Sequence, residues 1–497
     1  VENAKRLNQQ TATSKVGSAL LACAALICLF TVATNAHAQN ITQLFSFPCP
    51  AQQFATCPDG YRPNALIQAS DGNFYGAAQL TTTGFSEAHG GTLFKITPSG
   101  QFTRLFTFAK DSNGNYVNGD NPAVTLVEGN DGFLYGDSFE GGANNMGVLF
   151  RIKKSGTGFQ VLHSFCSAAN CADGSTPKGM TLGHDGNIYG VTAAGGSNDA
   201  VCGGIGGCGT IFRFTPPSTF TTLFEFDGGT FQGASPLGIL HGTDGNFYGT
   251  AGDNIFRFKL GGQFTILQTI PDIGFLPTSA QNQLIQAANG TLYGALSTYS
   301  LSQLQFYEIN PSGQGFLEFA SLGNDLGANG VPALMQASDG NLWDEVPNLD
   351  SVITVSPTTG QILKSFEFDG ANGGFPEAPI VQGSDGRLFG TASEGGVVGA
   401  GQQASGTVWV LDAGLPAPAS VVGGFTPASG VVGSKVRIRG SHFVGTTAVT
   451  FNGVNATFKV LNTNFISATV PAGATTGPIA VTNPGGTAIS VGHFTVQ

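Results

Sequence analysis

The sequence predicts an all-β protein: a seven-bladed β-propeller closed by an N-terminal strand, followed by an immunoglobulin-like β-sandwich. Three observations predict it. A turn dipeptide followed by an apolar-aromatic strand occurs seven times between Asp71 and Gly386. Gly is abundant, at 74 of 497 residues, and the four charged residue types make up only 10%, a composition of short strands and tight turns rather than helices. The last repeat lacks its final strand, and a matching strand stands at the head of the chain.

The seven turns are Asp71-Gly72, Asp131-Gly132, Asp185-Gly186, Asp244-Gly245, Asn289-Gly290, Asp339-Gly340 and Asp385-Gly386. Asp-Gly and Asn-Gly supply the positive-φ geometry of a tight hairpin. The following strand ends in aromatic-Gly in six copies, as in Tyr75-Gly76 and Tyr135-Gly136, and in Trp343-Asp344 in the sixth. Each repeat reads as four strands, A to D. In the second, strand A lies around Ala123–Glu128, strand B at Phe133–Asp137, strand C at Gly147–Lys153 and strand D at Phe159–Phe165. Self-similarity at this period, with alternating residues and Gly turns, is the pattern of propeller blades.

Strands A, B and C occur seven times, but strand D follows strand C only six times. The seventh blade ends at Gly406–Asp412, and Thr42-Gln43-Leu44-Phe45-Ser46-Phe47 matches Thr103-Arg104-Leu105-Phe106-Thr107-Phe108. The N-terminal strand is expected to pair with the last blade, which removes two exposed sheet edges. A β-sandwich explains neither the seven copies nor the displaced strand.

The run Gly-Gly-Thr-Leu-Phe-Lys-Ile-Thr-Pro-Ser-Gly at 90–100, the Leu-Phe-x-Phe strand and the Asp-Gly-Asn-Phe-Tyr-Gly hairpin resemble the GloVer tandem repeat. The resemblance covers about 41–412 and implies an exported bacterial propeller; it brings no catalytic residues with it. After a Pro/Ala linker, Ala413–Ser420, come Phe425-Thr426-Pro427, Val449-Thr450-Phe451-Asn452-Gly453 and Asn483-Pro484-Gly485-Gly486. Their order resembles an IPT/TIG domain, an Ig-like sandwich at 421–497, which implies a spacer or adhesion module. The linker is expected to be extended.

Lys5, Arg6 and Lys15 precede an apolar run, Val16 to Val32, that leads to Ala36-His37-Ala38. Residues 1–38 therefore read as a signal peptide, ahead of a propeller at 39–412. A membrane anchor, or a lipoprotein signal at Cys23, fits less well, and no transmembrane span is expected once the segment is removed. The formal charge is −11, yet 421–497 carry Lys435, Arg437, Arg439 and Lys459 and no acid. The acidity belongs to the propeller, which argues against nucleic acid as partner. Cys49/Cys57, Cys166/Cys171 and Cys202/Cys208 form three close pairs, expected as local disulfides of an exported chain. Metal binding by them is the poorer reading, since no His stands nearby in a ligand pattern.

In a propeller the A–B and C–D turns share one face and the B–C and D–A loops the other. The second set is long and varied here and holds all six of these cysteines, so function is expected on that face. Its candidate binding residues are Asp137 and Glu140, Glu394 as the counterpart of Glu140, and Asp344 with Glu345, where a local rule breaks. Asp111-Ser112-Asn113-Gly114-Asn115 with Asp120 reads as a solvated loop rather than a Ca²⁺ site. The histidines form no catalytic pattern along the chain. The Phe and Tyr repeats read as core. No cofactor or metal is expected. The leading expectation is a cell-surface or periplasmic protein that binds a glycan, peptide or envelope component; an extracellular protein ligand is possible, and the oligomeric state is left open. A propeller lyase or hydrolase and a structural surface protein are the alternatives.

Overall fold

The computed structural model describes residues 40–497 apart from 52–55, 83–88, 123–125, 197–201, 203–206, 229–233, 271–283, 299–302 and 323–333. Residues 1–39, which include the segment expected to be a signal peptide, lie outside the described residues, as do parts of the variable loops. Among the described residues, 40–412 form seven antiparallel sheets, each with four strand positions. Blade 1 is typical: strand A at Thr56–Gln68, B at Phe74–Thr82, C at Thr92–Ile96 and D at Phe102–Thr107. Strand A of blades 2 and 7 is broken into two short pieces. The seventh sheet is completed by Ile41–Pro50, which runs antiparallel to Gln402–Leu411 in the register Ile41↔Leu411 to Pro50↔Gln402. The ring closes as the sequence predicts.

The repeated residues have separable physical roles. The turn Asp caps its own hairpin: Asp131 Oδ1 accepts the Phe133 N–H at 3.2 Å, and Oδ2 accepts the Tyr135 hydroxyl at 2.7 Å. The same carboxylate-to-hydroxyl bond recurs at Asp71–Tyr75, Asp185–Tyr189 and Asp244–Tyr248. The Gly after the aromatic lies beneath a ring of strand C; a Cβ at Gly136 would run into Phe150. In blade 6 strand C offers Ile353 instead of a ring, and Asp344 occupies the vacated place. The first Phe of Leu-Phe-x-Phe stacks between blades, in the pairs Phe45–Phe102 at 3.9 Å and Phe106–Phe159 at 3.8 Å. His163 takes this place in blade 2 and stacks on Phe220 at 3.8 Å. The second Phe, at 47, 108, 165 and 226, is fully buried in the core. Such ring pairs add to the burial of their area.

A side chain at the end of strand A hooks six of the seven blades to the one before. Gln68 Oε1 accepts the Ser384 N–H, Gln382 the Ser338 N–H, Gln336 the Ala288 N–H and Gln286 the Thr243 N–H, all at 2.8–2.9 Å. Glu128 accepts the Ser70 N–H and His241 the His184 N–H. The junction between blades 2 and 3 has Leu182 at this position, a residue with no acceptor to offer.

Residues 421–497 fold as two packed sheets, one with strands Val421–Thr426, Lys435–Ser441, Phe458–Asn462 and Phe465–Thr469, the other built around Ala448–Phe451, Gly477–Asn483 and Gly486–Val496. Their core includes Val436, Ile438, Phe451, Ile466, Val481 and Phe494. The linker, expected to be extended, is held against the propeller and the sandwich. Ser338 Oγ and Gln382 Nε2 both donate to the Pro416 carbonyl, and Asn483 Nδ2 donates to that of Pro418. The sandwich is thereby folded back onto the A–B turns of the propeller. Arg439 Nη1 meets His184 Nδ1 at 3.2 Å, and buried Asn462 donates to Asn130 Oδ1 at 3.0 Å. Asn130 belongs to the junction that lacks a hook, so the sandwich ties down the one turn its neighbouring blade leaves loose.

Replacing Asn462 by Ala is expected to weaken this docking by about 1 kcal/mol, the worth of one partly buried hydrogen bond. Proteolysis of the 413–420 segment then accelerates severalfold in timed digests. Unchanged rates would show that Asn462 carries none of the docking.

Candidate functional site

The docked sandwich lies against the A–B turn end of the propeller. Strand A of each blade lines the channel. At the A–B turn end, a cavity of about 310 Å³ lies between strand A ends, including Ile67, Met335 and Ile380, and the linker residue Pro418 with the sandwich residues His442 and Val444. That end is roofed. The B–C/D–A end carries the loops and the disulfides Cys49–Cys57, Cys166–Cys171 and Cys202–Cys208. All three pairings are those the spacing predicts, and they belong to a protein of an oxidising, extracytoplasmic compartment. Among the described residues no helix is long and apolar enough to cross a membrane.

Strand A enters the B–C/D–A end through a recurrent kink. Arg62, Asn121, Thr176, Ser235 and Phe375 all have φ between 52° and 54°, and each precedes a Pro. The kink turns the N–H outward: Asn121 donates to the Gly90 carbonyl, Thr176 to that of Met146 and Ser235 to that of Cys208, each in the preceding blade. The residue after the Pro is buried in blade 1 and half-buried in blades 3, 4 and 7. It is Asn64 in blade 1, Lys178 in blade 3, Leu237 in blade 4 and Glu377 in blade 7.

Behind these positions stands the third residue of the aromatic-Gly-x strand of the preceding blade. Asp137 and Glu345 occupy this same place in blades 2 and 6, where blades 3, 4 and 7 have Val191, Thr250 and Thr391. Asp137 is 1% exposed, and neither of its oxygens has a hydrogen-bond partner. Burial raises its pKa to about 7, opposed by the nearby Lys178 ammonium. Burial in turn lowers Lys178 to about 8, opposed by Asp137. The Lys178 Nζ lies 4.0 Å from the centre of the Phe139 ring, a cation–π contact. Glu345 is 2% exposed; its Oε2 accepts the Ala378 N–H at 2.7 Å, while Oε1 has no partner. Burial pushes its pKa well up, and Asp344 and Glu377 add like charge. Glu377 is raised as well, chiefly by burial, with Arg62 pulling the other way and Glu394 adding like charge.

The sequence-predicted residues thus divide. Asp137 and Glu345 are buried wall groups beside the mouth. Glu394 is exposed on the rim, near enough to act on Glu377. Asp344 is wholly buried within its blade, in the space a strand C ring takes elsewhere. Glu140 ends strand B of blade 2 opposite Asp120, away from Asp137 on the facing side of the strand. Arg62, Lys178 and Glu377 were not singled out from sequence. The recurrent strand A Pro would have aligned them, since it fixes which residue reaches the channel.

Residues 62–269 match the Gloeobacter/Verrucomicrobia repeat, and 420–497 match the IPT/TIG domain. A search of curated proteins finds no match. Among solved structures, the chain is similar to a streptogramin B lyase (15% identity, 73% of this chain and 96% of that chain, TM-score 0.46). It is also similar to a selenomethionine-substituted virginiamycin B lyase from Staphylococcus aureus (15%, 73% and 98%, TM-score 0.46). A third is the Pseudomonas aeruginosa periplasmic gluconolactonase (16%, 68% and 96%, TM-score 0.45).

Proposed function

We propose that this chain, a propeller bearing the Gloeobacter/Verrucomicrobia repeat joined to an IPT/TIG domain, is an exported binding protein. Its ligand is a polar molecule, a glycan, peptide or envelope component, taken at the open end of the channel. The observation that carries this reading is that Lys178 and Glu377 hold one repeat position in blades 3 and 7, each beside a buried carboxylate with an unpartnered oxygen. A buried polar atom left unpaired costs about 1–3 kcal/mol, and a ligand donating hydroxyl or amide hydrogens can offset part of that cost. The opposite charges of Lys178 and Glu377 suit a ligand with both donors and acceptors better than a polyanion.

Glycan, polysaccharide and peptide arrays on the protein test the proposal. The expected result is one class of binder whose affinity falls at least tenfold in Lys178→Met and Glu377→Gln. Absence of any binder, together with self-association of the purified protein, would favour a structural surface role. The pair Asp137 and Lys178 supports a second reading, an enzyme of the lyase or hydrolase type. Groups titrating at about 7 and about 8 are matched to proton transfer near neutrality. That reading requires turnover with a bell-shaped pH profile, lost in Asp137→Asn.

A further inference from the structure

Apart from the channel mouth, His89, Asp120 and Glu140 come together where blades 1 and 2 meet on the open face. His89 belongs to the B–C loop of blade 1, Asp120 begins strand A of blade 2 and Glu140 ends its strand B. One donor atom from each lies within 4.8 Å of the other two. We propose that these three side chains hold a divalent transition-metal ion of the zinc type.

The geometry supports this in four ways. Asp120 and Glu140 are direct cross-strand partners, and like charges directly opposite one another destabilise a sheet unless something neutralises them. Asp120 is itself oriented: its Oδ1 accepts the Gly90 N–H at 2.6 Å, and its Oδ2 is hydrogen-bonded to His89 Nδ1 at 2.6 Å, a bond whose proton the metal would displace. The Asp120 side chain is 2% exposed and that of His89 39%, so the site has a fixed floor and an open top. Finally, the cluster is not a product of the repeat. The corresponding places at the next junction hold Asn145, Ser175 and Ala194, and blade 7 pairs Gly374 with Glu394.

The donor set selects the metal. One imidazole and two carboxylates suit Zn²⁺, bound at about 2.0–2.2 Å, whereas Ca²⁺ and Mg²⁺ favour all-oxygen sets. Three protein ligands and solvent access leave a position for water or for an oxygen of a bound molecule, the arrangement of zinc sites that act on ligands rather than only brace a fold. The proposal stands independently of the channel-mouth reading, since the two sites share no residue.

The test is calorimetric titration of the chelator-treated protein with Zn²⁺ alone, with Ca²⁺ as comparison. One Zn²⁺ per chain is expected, with affinity reduced at least tenfold in His89→Ala and again in Glu140→Gln. Glu367→Gln, on an outer strand of blade 6, should bind as wild type. Circular dichroism establishes that each variant is folded; should His89→Ala fail to fold, His89→Gln replaces it. No Zn²⁺ binding by wild type, binding by the two site variants as tight as by wild type, or binding of Ca²⁺ in preference would each overturn the proposal.

Discussion

Replacing Phe47 by Ala should destabilise the whole protein by about 3–5 kcal/mol, although Phe47 is only the eighth described residue. Phe47 is wholly buried and packs edge-on against Phe94 and Phe102 at 5.4 and 5.6 Å, in a cluster that also contains Phe74, Phe389 and Val408. That cluster joins the first blade to the last. The truncation therefore leaves a cavity at the seam, where the ring depends on a strand brought from the far end of the sequence. Phe108 holds the same repeat position within blade 1, inside the core shared with blade 2, and Phe108→Ala serves as the internal comparison. Urea midpoints of the two variants should fall by similar amounts. A neutral Phe47→Ala beside a severe Phe108→Ala would show that the N-terminal strand contributes nothing to closure. Deleting residues 40–50 is the stronger form of the experiment. It exposes the edge of Gln402–Leu411, and aggregation during refolding is the expected outcome.

The second large effect has the opposite sign. Exchanging the Asp137–Lys178 pair for Val and Leu, the residues at the corresponding places one junction on (Val191 and Leu237), should stabilise the protein by roughly 1–4 kcal/mol. Both charges of the pair are desolvated, and neither Asp137 oxygen is satisfied. The pH dependence follows from the two shifts. The folded state holds the Asp137 proton more tightly than the unfolded chain does, so this stabilising contribution is present at low pH and is lost as pH rises to about 7. Lys178 releases its proton more readily in the folded state, so its contribution is present at high pH and is lost as pH falls to about 8. Wild type is therefore most burdened between about pH 7 and 8, and the advantage of the double variant should be greatest there and shrink toward pH 5 and pH 10. Denaturation curves across that range measure it. A double variant less stable than wild type at pH 7.5 would mean that the pair stabilises the fold. On the proposed function the same variant loses ligand binding.

The propeller was legible because each repeated residue answers a local demand. The turn Asp serves both its hairpin and the Tyr four positions on, the Gly yields to a neighbouring ring, and Leu-Phe-x-Phe places one ring between blades and one in the core. Even the breaks have such causes: Asp344 is admitted where Ile353 replaces a ring, and His163 stacks as a Phe would. The channel mouth was half legible. Asp137 and Glu345 disrupt a pattern visible along one strand, but Lys178 and Glu377 approach them from the next blade, and only the fold brings them together. His89 and Asp120 lie 31 residues apart in different repeats, and no sequence spacing foretells their contact. The docking of the sandwich was hidden for a similar reason. It turns on Leu182 standing where other blades carry an acceptor, and on hydrogen bonds to the Pro416 and Pro418 carbonyls that no composition reveals.

That docked linker has a mechanical consequence. It leaves the propeller from Gln402–Leu411, the same strand the N-terminal segment closes. Tension on the sandwich through an unattached tether would peel this strand from its partner one residue pair at a time, the weakest way to load a β-ladder. The bonds from Ser338 and Gln382 to Pro416, and from Asn462 to Asn130, spread the force across blades 2, 6 and 7 before it reaches the seam. A molecule gripped at the open face and held by its sandwich would thus be pulled along the channel axis, with its closure shielded from the strain.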